Sequence, residues 1–176
     1  SKYAKPAIRD ANSRIIQGPQ AGIDVSVIDF GDRYLVSKTD PITFATNEIG
    51  YYAINVNAND LLTSGTYPRW FQATVLIPPG SDKKLLENIF ADLWKAANEL
   101  SIAIIGGHTE ITASVTQPVV IGSMFGEIGK EKIILSGQGK PGDALIITKG
   151  IAIEGTALIA LEKEADLNKK GIDPAI

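Results

Sequence analysis

Hydrophobic and polar positions change period several times along the chain, and each change marks an element. From Asp24, the runs VSVIDF and RYLVSKT are β-rich and separated only by Gly31-Asp32, the pattern of a hairpin closed by a two-residue turn. NEIGYYAI then begins a helix that runs into NVNANDLLTSGTYP, residues 55–68, with Thr46 or Asn47 placed to cap it and Glu48 in its first turn. Ile54, Leu61 and Leu62 fall at helical spacing and can face a core. RWFQATVLIP, residues 69–78, reads as a strand ended by Pro78-Pro79-Gly80. After Ser81 as cap, Leu85, Leu86, Ile89, Phe90, Leu93, Trp94, Ala97 and Leu100 form the clearest amphipathic stripe, which predicts a core-facing helix over 82–100. Residues 102–105 predict a short buried strand. Residues 118–128 predict a long one with Gly122 and Gly126 as bulge or close-approach points, and 133–135 another.

The ends of the chain read differently. Residues 1–19 mix four cations with Pro6 and Pro19 and offer only Ile15 and Ile16 as apolar anchors, which suits a short helix or a mobile arm. SGQGKPGD, residues 136–143, has the composition of a linker, after which ALIITKG and IAIEGTALIALEKEA predict a strand, a glycine turn and a helix. Such a unit is too small to bury its own core. The expected division is therefore one domain over 1–138 and the opening of a second over 139–176. Several strands with only two long amphipathic helices predict an α/β (α+β) domain: a mixed sheet with helices on one face. The open face then needs cover, which a second copy of the chain would supply.

Composition narrows the function classes. The net charge of −3, with 4 of the 17 basic residues arginine, leaves no basic footprint for nucleic acid. No apolar run reaches the ~18 residues a membrane span needs. The start, SKYAKPAIRD, lacks the apolar core of a signal peptide, and the sequence has no cysteine, which together predict a cytoplasmic protein. Thiolate nucleophiles and cysteine zinc sites are excluded, and with His108 as the single histidine so is a two-histidine metal site.

Three places carry candidate chemistry. Asn55, Asn59 and Asp60 are oxygen donors that sit awkwardly in a helix interior. They form either a solvated helix end or a set of oxygens for a hard cation such as Mg²⁺. Asp24 and Asp40 flank the hairpin at comparable places, so strand pairing brings them near one end, either to share a metal or merely to begin turns. Residues 102–110 read as strand, glycine pair and polar residues, a way to bring backbone N–H groups to a sheet edge; an ordinary loop histidine is the other reading. Gly150 and Gly155 bracket a helix start that matches neither the P-loop nor the dinucleotide fingerprint.

Taken in order, Asp24 in D-x-x-V, TDP at Asp40, NAND-L at 57–61 with its G-x-x-P turn, GGHTE at 106–110 and KPGD-x-LIIT-KGI-x-x-EG at 140–155 resemble one superfamily. It contains aminoimidazole ribonucleotide synthase, selenophosphate synthetase, thiamine-monophosphate kinase and the hydrogenase maturation protein HypE. The resemblance covers an N-terminal ATP-binding domain and the first elements of a C-terminal one. It implies ATP and Mg²⁺ as cofactors and a homodimer whose N-terminal sheets pair into a barrel. By position, Asp24, Asp40 and Asp60 match the metal ligands, and Asn59, Gly106, Gly107, Thr109 and Glu110 the nucleotide contacts. The implied function is the ATP-binding domain of an enzyme that activates an oxygen or selenium of a small-molecule or protein-terminus substrate by phosphoryl transfer, most like HypE or a synthase relative. The alternative is an inactive nucleotide-binding or dimerisation module of the same fold. Three departures bear on this: His108 stands where HypE-type proteins usually carry aspartate, and neither a glycine-rich N-terminal segment nor a C-terminal cysteine tail is present.

Overall fold

The structure, a computed structural model, describes residues 14–44 and 47–172. The chain forms two compact units, Ser1–Gln138 and Gly139–Ile176. In the first, six strands make one mixed sheet: β1 (Ile15–Gln17), β2 (Ser26–Asp29), β3 (Arg33–Ile42), β4 (Trp70–Ile77), β5 (Ala103–Ile111) and β6 (Val119–Gly129). Their order is β1-β2-β3-β6-β4-β5. Neighbours are antiparallel except β4 and β5. That pair is parallel because helix α2 (Lys83–Glu99) carries the chain back between them.

The hairpin forms as its sequence predicts. The Phe30 N–H donates to the Arg33 carbonyl at 2.9 Å, which closes a turn of Gly31 and Asp32, and the strands pair with Asp29 opposite Tyr34 and Ser26 opposite Ser37. Alternation then sorts side chains by face. Val36, Ile42, Phe71, Val75, Ile77, Val120 and Met124 are buried on one face, against helix α1 (Ile49–Leu62) and α2. Full burial of a side chain of this size contributes about 1.5–3 kcal/mol. The other face carries Leu35, Trp70, Leu76, Ile121 and Phe125, all half-exposed. The mixed sheet with its long helices on one face is thus the observed arrangement.

Several local expectations need correction. The expected helix or arm over 1–19 falls largely outside the described residues, as does Thr46; within them, Ile15 and Ile16 belong to strand β1. Glu48, in a left-handed conformation, is the N-cap residue of α1 instead of Asn47. Asp82 caps α2 by accepting from the Lys84 N–H at 3.0 Å, while Ser81 donates to the Pro78 carbonyl. Leu62 is exposed, and of the α2 stripe Phe90, Trp94 and Leu100 are exposed while Ile89, Leu93 and Ala97 are buried. Residues 133–135 form no strand: Ile133 and Leu135 pack on the core, and the Ile134 N–H donates to Ser64. Residues 102–105 were expected as a short buried strand; instead β5 runs on through both glycines to Ile111 and is largely exposed as an edge.

Among its described residues the second unit contains α3 (Ile153–Glu162) and α4 (Glu164–Lys169) and no strand. The expected strand over 144–149 is irregular, with Leu145 at 92% and Ile146 at 80% exposure. A strand needs a neighbour to satisfy its backbone, and these residues pair with none.

Candidate functional site

Lys38 and Asp40 project from β3 with the parity of Val36 and Ile42, toward the face that α1 covers. Asp60 comes from the last turn of α1. The Lys38 ammonium lies between the two carboxylates, 2.8 Å from Asp60 Oδ2 and 3.3 Å from Asp40 Oδ2. Burial acts to lower the Lys38 pKa, but the hydrogen bond and charge of Asp60, with those of Asp40, carry it above the ordinary lysine value. Asp60 moves up as well: burial first, then the charges of Asp40 and Asp24, outweigh the pull of Lys38. The ammonium is held firmly charged, yet one ammonium does not fully compensate the carboxylates around it.

Asn57 sets the backbone of this cluster. It is fully buried; its Oδ1 accepts from the Asp40 N–H at 2.9 Å, and its Nδ2 donates to the carbonyls of Ala53 (2.9 Å) and Asp40 (3.4 Å). The Asn57 amide thereby ties α1 to the backbone of β3. Gly122, opposite Asp40 on β6, leaves the necessary room: a Cβ there would land on Asn57 Nδ2 and 2.7 Å from the Phe71 ring.

Not all the residues singled out by sequence come together. Asp24 lies two residues before β2, exposed, and near enough to add to the raised pKa of Asp60. Among the described residues, however, no group of three His, Asp or Glu side chains is placed to hold a metal ion by itself. Asn59 is exposed on α1, and Asn55 donates back to the Tyr51 carbonyl within that helix. A cavity of about 400 Å³ adjoins Asp24 and Lys38, with the hydroxyl residues Ser26, Ser37, Thr39 and Ser123 in its wall.

Gly106, Gly107, Thr109 and Glu110 sit on β5. Asp40 pairs with Gly122, Gly122 with Ala73 and Ala73 with Gly107, so Asp40 and Gly107 share one transverse row. Three strand spacings separate them, about 14 Å. Gly107 has a structural reason to be glycine: an added Cβ would meet the Ala73 carbonyl oxygen. The parity of β5 places Thr109 on the helix side of the sheet, with His108 and Glu110 together on the open side, 3.7 Å apart. Beside Gly106–Thr109 is a second, mostly apolar cavity of about 230 Å³, under Phe90 and Trp94.

Sequence reasoning missed Lys38 and Asn57, although both left a signal. Lys38 has inward parity in β3, and Asn57 lies on the 53-57-61 stripe of α1, whose other members are buried and apolar. No helix among the described residues is long and apolar enough to cross a membrane.

Comparison with known proteins gives the family. The sequence model of the AIR synthase related protein, N-terminal domain, matches residues 22–128. A hydrogenase expression/formation protein of Methanocaldococcus jannaschii is 28% identical over 155 residues, which are 85% of this chain and 44% of that protein. A phosphoribosylformylglycinamidine cyclo-ligase of Thermococcus kodakarensis is 30% identical over 158 residues, 84% of this chain and 47% of the relative. Among solved structures, the hydrogenase maturation protein HypE in complex with ATP superimposes with a TM-score of 0.58 at 26% identity, covering 62% of this chain and 35% of that one. The chain spans about half the length, or less, of the curated relatives it matches.

Proposed function

Because the chain belongs to the AIR synthase related family through its N-terminal domain, we propose that it is the ATP-binding part of an enzyme that activates an oxygen or selenium of its substrate by phosphoryl transfer. The reading is closest to HypE-like hydrogenase maturation proteins or relatives of the synthase, with a small molecule or a protein terminus as acceptor. The observation that carries it is the Lys38 ammonium between Asp40 and Asp60, a stand-in cation in an all-oxygen setting. Mg²⁺ is commonly held by one or two carboxylates plus substrate phosphates, so Asp40 and Asp60 suffice as its protein ligands, with Asp24 and Asn59 beside them.

When bound, the metal would neutralise charge on the phosphates during transfer. The chain's own part is positional: Asn57 fixes the Asp40 backbone, and α1 presents Asp60 to it. No protein nucleophile is needed, which suits a sequence without cysteine. In this reading Gly106, Gly107, Thr109 and Glu110, about 14 Å across the sheet, serve a nucleotide bound across a homodimer. The half-exposed apolar face supports a second copy whose sheet pairs with this one into a barrel. Residues 139–176 are the opening of a C-terminal domain, and the protein works in the cytoplasm.

Thermal melts test binding. An ATP analogue with Mg²⁺ at a hundred times its Kd should stabilise the protein by about 2.7 kcal/mol; no shift with either or both would sink the proposal. Stabilisation without ATP turnover in the full-length protein would support the inactive nucleotide-binding module instead. Sedimentation should show a dimer at micromolar concentration, and a well-behaved monomer would remove the barrel.

A further inference from the structure

We infer that Lys38 is a resident cation of the carboxylate site, which a divalent metal must displace and which then pairs with the phosphates of the nucleotide. The inference rests on the reading of Asp40 and Asp60 as metal ligands and deepens it by giving Lys38 a part in binding. Its side chain is only 14% exposed, and the ammonium contacts one oxygen of each carboxylate. A divalent ion bridging Asp40 and Asp60 would sit in the gap between them that the ammonium fills. Two cations, one of them doubly charged, cannot share so small a gap without strong repulsion. The metal therefore enters only as the ammonium leaves.

The side chain supplies a means for that exchange, and the nucleotide a destination. Lysine carries a compact charge on a flexible four-carbon stem, so it can turn without moving β3. Displaced into solvent with no new partner, it gives up two ion pairs, which weakens the binding of metal alone. A triphosphate that ligates the same metal brings its oxygens beside the displaced ammonium and offers those pairs back. Metal and nucleotide are thereby coupled, each tightening the other by the same factor. Lysine suits this role better than arginine, whose planar fork would hold both carboxylates in a fixed bidentate geometry. A Lys38 that stays in place would repel the metal only through space, and its reactivity toward an acylating reagent would not rise when the metal binds.

The test uses Mn²⁺ as the probe, followed by electron paramagnetic resonance of the free ion, on the intact protein and its K38M and K38Q variants. Without nucleotide, both variants should bind Mn²⁺ at least tenfold more tightly than wild type. With Mn²⁺ saturating, both should bind an ATP analogue at least tenfold more weakly. Equal or weaker Mn²⁺ affinity in a folded variant overturns the inference. Adding D60N to K38M should abolish the tight Mn²⁺ site. If it does not, the metal sits elsewhere and the underlying site reading fails; if D60N abolishes nucleotide-dependent metal binding in wild type while K38M changes nothing, only the role of Lys38 fails. Pulse acetylation of wild-type protein read by mass spectrometry avoids any folding defect. Lys38 should react slowly alone, faster with high Mn²⁺, and slowly again once the ATP analogue is added; reactivity indifferent to Mn²⁺ contradicts displacement.

Discussion

Replacing Asp60 by asparagine is expected to cut affinity for Mg²⁺ with an ATP analogue by about a hundredfold or more, while leaving the metal-free fold as stable as before or slightly more so. The first half follows from its proposed place on the metal. Even residues that merely orient metal ligands cost about 10–100-fold when changed, and Asp60 would be a ligand itself. The second half follows from electrostatics. Burial, then the charges of Asp40 and Asp24, disfavour its ionised form by more than Lys38 returns. Lys38 on its own side gains from the contact, so the two partners register one ion pair with opposite balance. The carboxylate carries the larger share of desolvation and repulsion. Asparagine keeps the shape and one acceptor oxygen for the ammonium, so the lost attraction is partly retained and the repulsion is removed. Calorimetric titration and melting curves on the same sample check both halves. A large drop in Tm without metal, together with intact binding, would make Asp60 a structural residue.

Much of the scaffold was legible because it rests on local rules. Gly31-Asp32 between two alternating runs has one economical outcome, and the structure adopts it. Gly122 and Gly126 were readable as close-approach points, since a glycine inside a strand usually makes room for something: at Gly122 it is Asn57 and Phe71, at Gly126 the Tyr67 carbonyl and Thr66. What failed depended on neighbours that local pattern does not name. Residues 133–135 and 144–149 have strand composition, but they join no sheet among the described residues. β5 was cut short because a glycine pair suggests a loop, whereas on a sheet edge glycine persists where the adjacent strand's carbonyl leaves no space for Cβ. At the site, the acidic residues stood out as chemical types, whereas Lys38 looked like a solvent-facing strand residue between Ser37 and Thr39. Its parity pointed inward, and an inward lysine needs an anionic partner.

The largest stability effect is expected at Asn57. Leucine there is close in volume but loses the bonds to the Asp40 N–H and C=O that tie α1 to β3, and the bond to the Ala53 carbonyl. A hydrogen bond contributes about 0.5–1.5 kcal/mol net, so the three lost here amount to about 1.5–4.5 kcal/mol, set against a total stability of about 5–15 kcal/mol for a typical domain. Leucine also places methyl groups where the amide now lies against Gly122 and the Phe71 ring, a space that already excludes one extra carbon. Asn57→Asp is no remedy: it keeps the acceptor for the Asp40 N–H, loses both donated bonds, and buries a further negative charge near Asp40 and Asp60. Urea unfolding of N57L should show a lower midpoint with an unchanged slope, since the surface exposed on unfolding is nearly the same. A loss below about 1 kcal/mol would mean that Asp40 finds other partners, and that the alignment of β3 with α1 does not depend on this amide.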